Sequence, residues 1–234
     1  MFSVKQVVTP SKTDTNGRMK LFSAVQLMQD CSEMWKDSEP DFLNFLMKSK
    51  AAQLLTFRYL EVLRAPNLGE QLTCITSVYG TQGAFGFRNT AIYDAMGETC
   101  YRSWCIGAFV SAETGRLMRL PQEVTDSLTI DPQLPMNYSG RKITLPDAET
   151  FALSDIAVQR NDIDYNSHVN NAHYIRMALE CIPEEFVPQA LRVEYRRPVP
   201  PGAIISPSLI LQPFAAYVQL RVGETLCAVV EFTR

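Results

Sequence analysis

The strongest constraint on this chain is that it writes one pattern twice. Asp14-Thr15-Asn16-Gly17-Arg18-Met19 stands directly before an apolar run, and Asp164-Tyr165-Asn166-Ser167-His168-Val169 stands directly before another. Further along each half, Arg64 lies five residues before Gly69, as Arg197 lies five before Gly202. Self-similarity on this scale implies a duplicated unit, and 234 residues suit two domains of roughly a hundred residues each.

Within the first half, Leu21, Ala24, Val25, Met28, Cys31 and Trp35 recur at helical spacing, which predicts a largely buried helix from about Met19 to Trp35. Runs rich in β-branched and aromatic residues follow: LLTFRYLEVL, QLTCITSVYG, GFRNTAIYDA and TCYRSWCIGAFVSA. Turn signals at Asn67-Leu68-Gly69, Met96-Gly97 and Thr114-Gly115 separate them, which reads as an antiparallel sheet. The second half repeats the order, with a strand FALSDIAVQ, a helix from about Asn170 to Cys181, then LRVEYRR and IISPSLIL. Between the halves, from Gln122 to Thr150, periodicity weakens and Pro132, Pro135, Gly140 and Pro146 interrupt it. The expected class is α+β: domains at 1–135 and 151–234 joined by a linker at 136–150, each a long central helix wrapped by an antiparallel sheet. Two unrelated α+β domains would be the other reading, and the repeated Asp-x-Asn turn argues against it.

The chain's two histidines, His168 and His173, both fall in the stretch DIDYNSHVNNAHYIRMALE, where the second helix begins. Asn170 or Asn171 can cap that helix, which accounts for one asparagine. It leaves unexplained why Asp164, Asn166 and His168 stand two residues apart, a spacing that turns all three side chains to one side of an extended or turn-like segment. A carboxylate, an amide and an imidazole then converge beside a helix N-terminus, whose unpaired N–H groups favour developing negative charge. Those are the parts of a hydrolytic site. His173, five residues on, points elsewhere and suits a supporting or surface role.

Composition narrows the field. A net charge of -3 argues against a nucleic-acid partner. The six cysteines form no CxxC pair and no Cys/His ligand spacing, so reduced thiols and no zinc or other metal are expected. No run approaches the roughly 20 apolar residues of a membrane span, and the N-terminus has neither signal-peptide nor transit-peptide character. A cytoplasmic protein is the expectation.

The run Asp164 to Asn171 with Tyr174 closely resembles the DxNxHVNNxxY motif of acyl-ACP thioesterases, tandem hotdog-fold enzymes that release fatty acids from acyl carrier protein. Ile182-Pro183, Glu194-Tyr195-Arg196-Arg197, Asn67-Leu68-Gly69-Glu70 and the run from Glu113 to Pro121 extend the likeness over most of the chain. The short N-terminus favours a bacterial member over a plastid-targeted one. The resemblance implies catalytic Asn166 and His168 supported by Asp164, with Asn170, Asn171 and Tyr174 positioning the substrate or the oxyanion. It implies an acyl chain held by the first unit, no cofactor, and an acidic carrier protein as partner, for which Arg176, Arg192, Arg196 and Arg197 are candidate contacts. Two units in one chain already mimic a hotdog dimer, so a monomer and a loose homodimer both fit.

One position departs from the family. The plant enzymes carry a catalytic glutamate directly after Tyr-Arg-Arg, and Pro198 stands there. Glu194 lies four residues back, about 13 Å along an extended strand. Three readings follow: Asp164 is the sole carboxylate, another acid such as Glu180 approaches in the fold, or activity is lost. Alternatives to an acyl-ACP hydrolase are an acyl-CoA or aroyl-CoA thioesterase, a non-catalytic acyl-binding protein and a hotdog dehydratase.

Overall fold

The computed structural model describes residues 1–234 and divides into two compact units. The first comprises Met1–Thr56 and Val62–Ser139, the second Phe57–Glu61 and Gly140–Arg234.

In the first unit the chain runs through β1 (Phe2–Val7), α1 (Leu21–Met34), α2 (Pro40–Lys48), β2 (Ala51–Val62), β3 (Gln71–Gln82), β4 (Phe85–Asp94), β5 (Thr99–Ser111) and α3 (Gln122–Ser127). The strands lie in the order β1-β3-β4-β5-β2, with β1 against β3, β3 against β4 and β4 against β5 antiparallel. The helix α1 packs on β3 and β4, and its stripe Ala24, Val25, Met28 and Cys31 is fully buried. That stripe follows the helical period read from the sequence, so burial of one face drives the helix. Past its end, Trp35, Phe42 and Phe109 form an aromatic cluster with ring centroids 5.5 and 5.7 Å apart. Val124 and Leu128 close over that cluster, which corrects the reading of the chain from Gln122 onward as irregular. It opens with a helix because Val124 has a core to enter.

The second unit contains β6 (Phe151–Ala152), β7 (Ile156–Ala157), α4 (Asn171–Leu179), β8 (Ala190–Tyr195), β9 (Ile204–Leu211), β10 (Ala215–Val222) and β11 (Thr225–Thr233). The expected strand FALSDIAVQ is thus two short pieces, each paired with β9. The order is Phe57–Glu61, β8, β11, β10, β9, β6, and α4 packs on β10 and β11. All six cysteines are free, five of them buried, and no helix is long and apolar enough to cross a membrane.

Each unit repeats the link between its sheet and the loop ahead of its helix. Val8 N–H donates to Glu70 O and Met19 N–H to Pro66 O; in the second unit Val158 N–H donates to Ala203 O and Val169 N–H to Val199 O. Gly69 and Gly202 both take positive φ, +87° and +74°, to turn the chain into the next strand.

In the first unit this link carries an ionic clasp. Arg64 donates to both carboxylate oxygens of Glu70, at 2.9 and 2.8 Å, and to Asp94 at 2.7 Å. The Arg64 fork, with the Asn67 amides beside it, holds the Glu70 carboxyl down at about 2 from an ordinary 4.5. A depressed folded-state value contributes stability that is full above the unfolded value and lost as pH falls through the folded one. Stability should therefore decline between about pH 4.5 and 2, and Glu70→Gln should flatten that limb in urea unfolding followed against pH.

Candidate active site

The loop before α4 folds as a five-residue turn. Asp164 N–H donates to His168 O at 3.0 Å, Ser167 N–H donates to Asp164 O at 3.0 Å, and Ile163 bridges Val169. The Asp164 carboxylate closes the turn by accepting the Asn166 N–H at 2.8 Å. The same bonds recur before α1: Asp14 N–H to Arg18 O at 2.8 Å, Gly17 N–H to Asp14 O at 3.1 Å, and Asn16 N–H to the Asp14 carboxylate at 2.8 Å. The turn requires a left-handed residue at its fourth position. Gly17 supplies it at φ +73° and Ser167 at φ +62°, where a side chain is strained. Asp-x-Asn is therefore first a backbone device, present in both units.

The side chains differ. Arg18 is exposed, whereas the half-buried His168 brings Nδ1 to 3.9 Å from Asp164 Oδ1 and 3.3 Å from Val169 O. The Val169 carbonyl within hydrogen-bond reach of Nδ1 favours the proton there and leaves Nε2 as the basic nitrogen. The Asp164 carboxylate thus faces the Nδ1 edge of the ring. The turn brings Asp164 and His168 together. Asn166 joins them through its backbone, with its side chain exposed at the tip.

The helix N-terminus is more fully used than its sequence indicates. Asn170 caps α4, its Oδ1 accepting Ala172 N–H at 2.9 Å. Asn170 N–H donates to Asp162 O and His173 N–H to Asn170 O. The Asn171 N–H is the first-turn amide left to meet a ligand, while its carbonyl accepts the Tyr195 hydroxyl at 2.9 Å.

Tyr174 serves the neighbouring backbone. Its hydroxyl is buried, accepts Val199 N–H at 2.9 Å and reaches Arg197 O at 3.5 Å. It braces the backbone on both sides of the exposed Pro198, and burial pushes its phenol well above the usual range.

The other acids are accounted for. Glu180 caps the far end of α4, which at nine residues is about 13 Å long. Glu194 accepts Ile143 N–H at 3.3 Å and Arg196 at 3.1 Å. Asp164 is the carboxylate beside His168. Among the arginines, Arg176 donates to Asp162 at 2.8 Å, and Arg192 binds Glu231 together with the carbonyls of Gly140 and Lys142. Arg197 is exposed, and where its counterpart Arg64 meets Glu70 the second unit has Ala203.

The sequence reading passed over Asp162. This residue is buried, and its carboxylate accepts His173 Nδ1 at 2.7 Å, Arg176 Nη2 at 2.8 Å and Gln159 N–H at 2.8 Å. Burial pushes its carboxyl upward, but those bonds and the Arg176 charge prevail and hold it below the usual range. Its sequence signal was an acid at the end of a short helical turn, with a histidine and an arginine spaced three apart on the following helix. No group of three or more His, Cys, Asp and Glu side chains is placed to hold a metal ion.

Residues 1–128 match the family model of the acyl-ACP thioesterase N-terminal domain, and residues 146–213 match that of the C-terminal domain. A chloroplastic oleoyl-acyl carrier protein thioesterase of Arabidopsis thaliana is 30% identical over 154 residues, which is 59% of this chain and 42% of that relative's length. The chain thus spans about two fifths of the curated relatives it matches. An acyl-ACP thioesterase from Bacteroides thetaiotaomicron superposes with a TM-score of 0.88 at 18% identity, over 99% of this chain and 96% of that one. A 12:0-ACP thioesterase from Umbellularia californica gives 0.87 at 16% identity, over 99% and 96%. At these identities the likeness establishes the fold: α+β with antiparallel sheets, as read from the residue pattern, in hotdog units, as the family resemblance implies.

Because Tyr174 serves the backbone, Tyr174→Phe should strand the buried Val199 N–H and cost about 1–3 kcal/mol of stability. Activity per folded molecule should be retained, which thermal unfolding alongside a release assay would check.

Proposed function

This chain belongs to the acyl-ACP thioesterase family, and from that premise we propose that it hydrolyses acyl-ACP to a free fatty acid and the carrier protein's phosphopantetheine thiol. The observation that carries the reading is His168 beside Asp164 in a turn whose counterpart in the first unit has an arginine and no imidazole. Water attacks the thioester carbonyl as His168 Nε2 takes its proton, and Asp164 stabilises the imidazolium across 3.9 Å. The oxyanion is met by the Asn171 N–H at the positive end of α4. When the tetrahedral intermediate collapses, the thiolate leaves and takes the proton back from His168. Asn166, at the tip of the turn, orients the thioester or the water.

Of the four arginines considered for the carrier protein, Arg197 is the one we assign. Arg176 and Arg192 are committed to Asp162 and Glu231, and Arg196 to Glu194. Loss of the acid that clasps Arg64 leaves Arg197 open to an anionic partner. Pro198 favours a second reading, an acyl-binding protein without turnover, and the assay below separates the two.

General-base catalysis typically contributes about 10²–10⁴-fold, so His168→Ala should lower acyl-ACP hydrolysis by that order with the fold intact. Hydrolysis at the wild-type rate by this variant would refute the assignment, and acyl-ACP bound but never cleaved by the wild type would favour the binder. Arg197→Glu should raise KM for acyl-ACP roughly tenfold at low salt and leave hydrolysis of a small acyl-N-acetylcysteamine thioester unchanged.

A further inference from the structure

The cluster Asp162–His173–Arg176 belongs to the second unit alone. At the corresponding places the first unit has Lys12, Ser23 and Gln26. The backbone it sits on is common to both. Lys12 N–H bonds Thr9 O as Asp162 N–H bonds Gln159 O, and Lys20 N–H bonds Lys12 O as Asn170 N–H bonds Asp162 O. The turn therefore forms without the cluster, and the cluster must add something other than the turn.

What it adds is a side-chain tie between the loop and the helix. One oxygen of Asp162 receives His173 at 2.7 Å and Arg176 at 2.8 Å, from two successive turns of α4. The other oxygen receives Gln159 N–H at 2.8 Å, in a reciprocal capping box that stiffens the loop's entry. The loop on one side of this tie carries His168. The helix start on the other side carries the Asn171 N–H. Their separation is the distance between a base and an oxyanion donor, and in the first unit, with Arg18 in place of the histidine, no such distance has to be held. A buried carboxylate that receives two charged or charge-capable donors and a backbone amide resists displacement, because moving any one partner strands the others away from water.

We infer that Asp162, His173 and Arg176 are positioning residues that hold His168 and the Asn171 N–H in register for hydrolysis. The inference rests on the thioesterase reading above, so its test has one arm in turnover and one that does not need turnover. His173→Ser with Arg176→Gln gives α4 the first unit's side chains at these two positions and leaves Asp162 in place, and His173→Gln keeps an N–H that can reach Asp162. The double variant should lose about 10- to 100-fold in kcat on acyl-ACP per folded molecule, with KM within about threefold. His173→Gln should recover most of the loss. Independently, amide hydrogen exchange over residues 164–173 should speed up at least roughly tenfold in the double variant, as a locally loosened segment does. A wild-type kcat in the double variant, or a loss matched by its unfolded fraction, would overturn the inference. So would unchanged exchange over 164–173, whether or not the wild type hydrolyses acyl-ACP. A wild type that releases no fatty acid would refute the thioesterase reading alone and leave the exchange arm to decide this one.

Discussion

An aspartate carboxylate that accepts the N–H two residues later closes the turn before α1 and before α4, Asp14 from Asn16 and Asp164 from Asn166, each at 2.8 Å. With a left-handed residue at the fourth position, that bond bends the chain into a loop that leads into the helix, where Asn170 caps α4 with its side chain and Lys20 stands at the start of α1 without such a bond. The direction in which α1 or α4 enters its unit is set there. Their buried stripes, Ala24-Val25-Met28-Cys31 and Ala172-Ile175-Met177-Ala178, then supply the energy that keeps them in place.

A frame this constrained leaves side chains free to diverge. The first unit uses the positions around it for structure: Arg64 clasps Glu70 and Asp94, and Arg18 faces solvent. In the second unit the clasp has lost its Glu70 equivalent to Ala203, the exposed arginine has become a half-buried histidine, and an acid–histidine–arginine cluster has appeared beside it. Ser167 in the left-handed region is the strained residue of the pair, where the first unit has glycine. Strain of that kind is tolerated where the surroundings over-determine the backbone, here by the turn bonds on either side of Ser167.

The duplication, the helix in each unit and the strands from Gln71 to Ser111 were legible because each follows a simple period or a repeated motif, although α4 ends at Leu179, short of the expected Cys181. Less was legible where a role depends on a partner far off in sequence. Tyr174 sits in a recognisable motif, yet its hydroxyl serves a backbone amide 25 residues away. Arg192 looks like a surface charge until Glu231 and the carbonyls at 140 and 142 are seen around it. The helix at Gln122–Ser127 is short and weakly periodic, and it forms because Val124 and Leu128 cover an aromatic cluster whose members are spread from Trp35 to Phe109. Asp162 is separated from His173 by eleven residues and from Arg176 by fourteen, spacings that no local rule connects.

Two copies of one turn share a backbone, and we assign the chemistry to the copy that carries the imidazole. Single-turnover release of fatty acid from acyl-ACP by His168→Arg, which gives the second turn the first turn's side chain, tests it most directly. A folded protein that leaves acyl-ACP intact is the predicted result, and release at the wild-type rate would contradict the account.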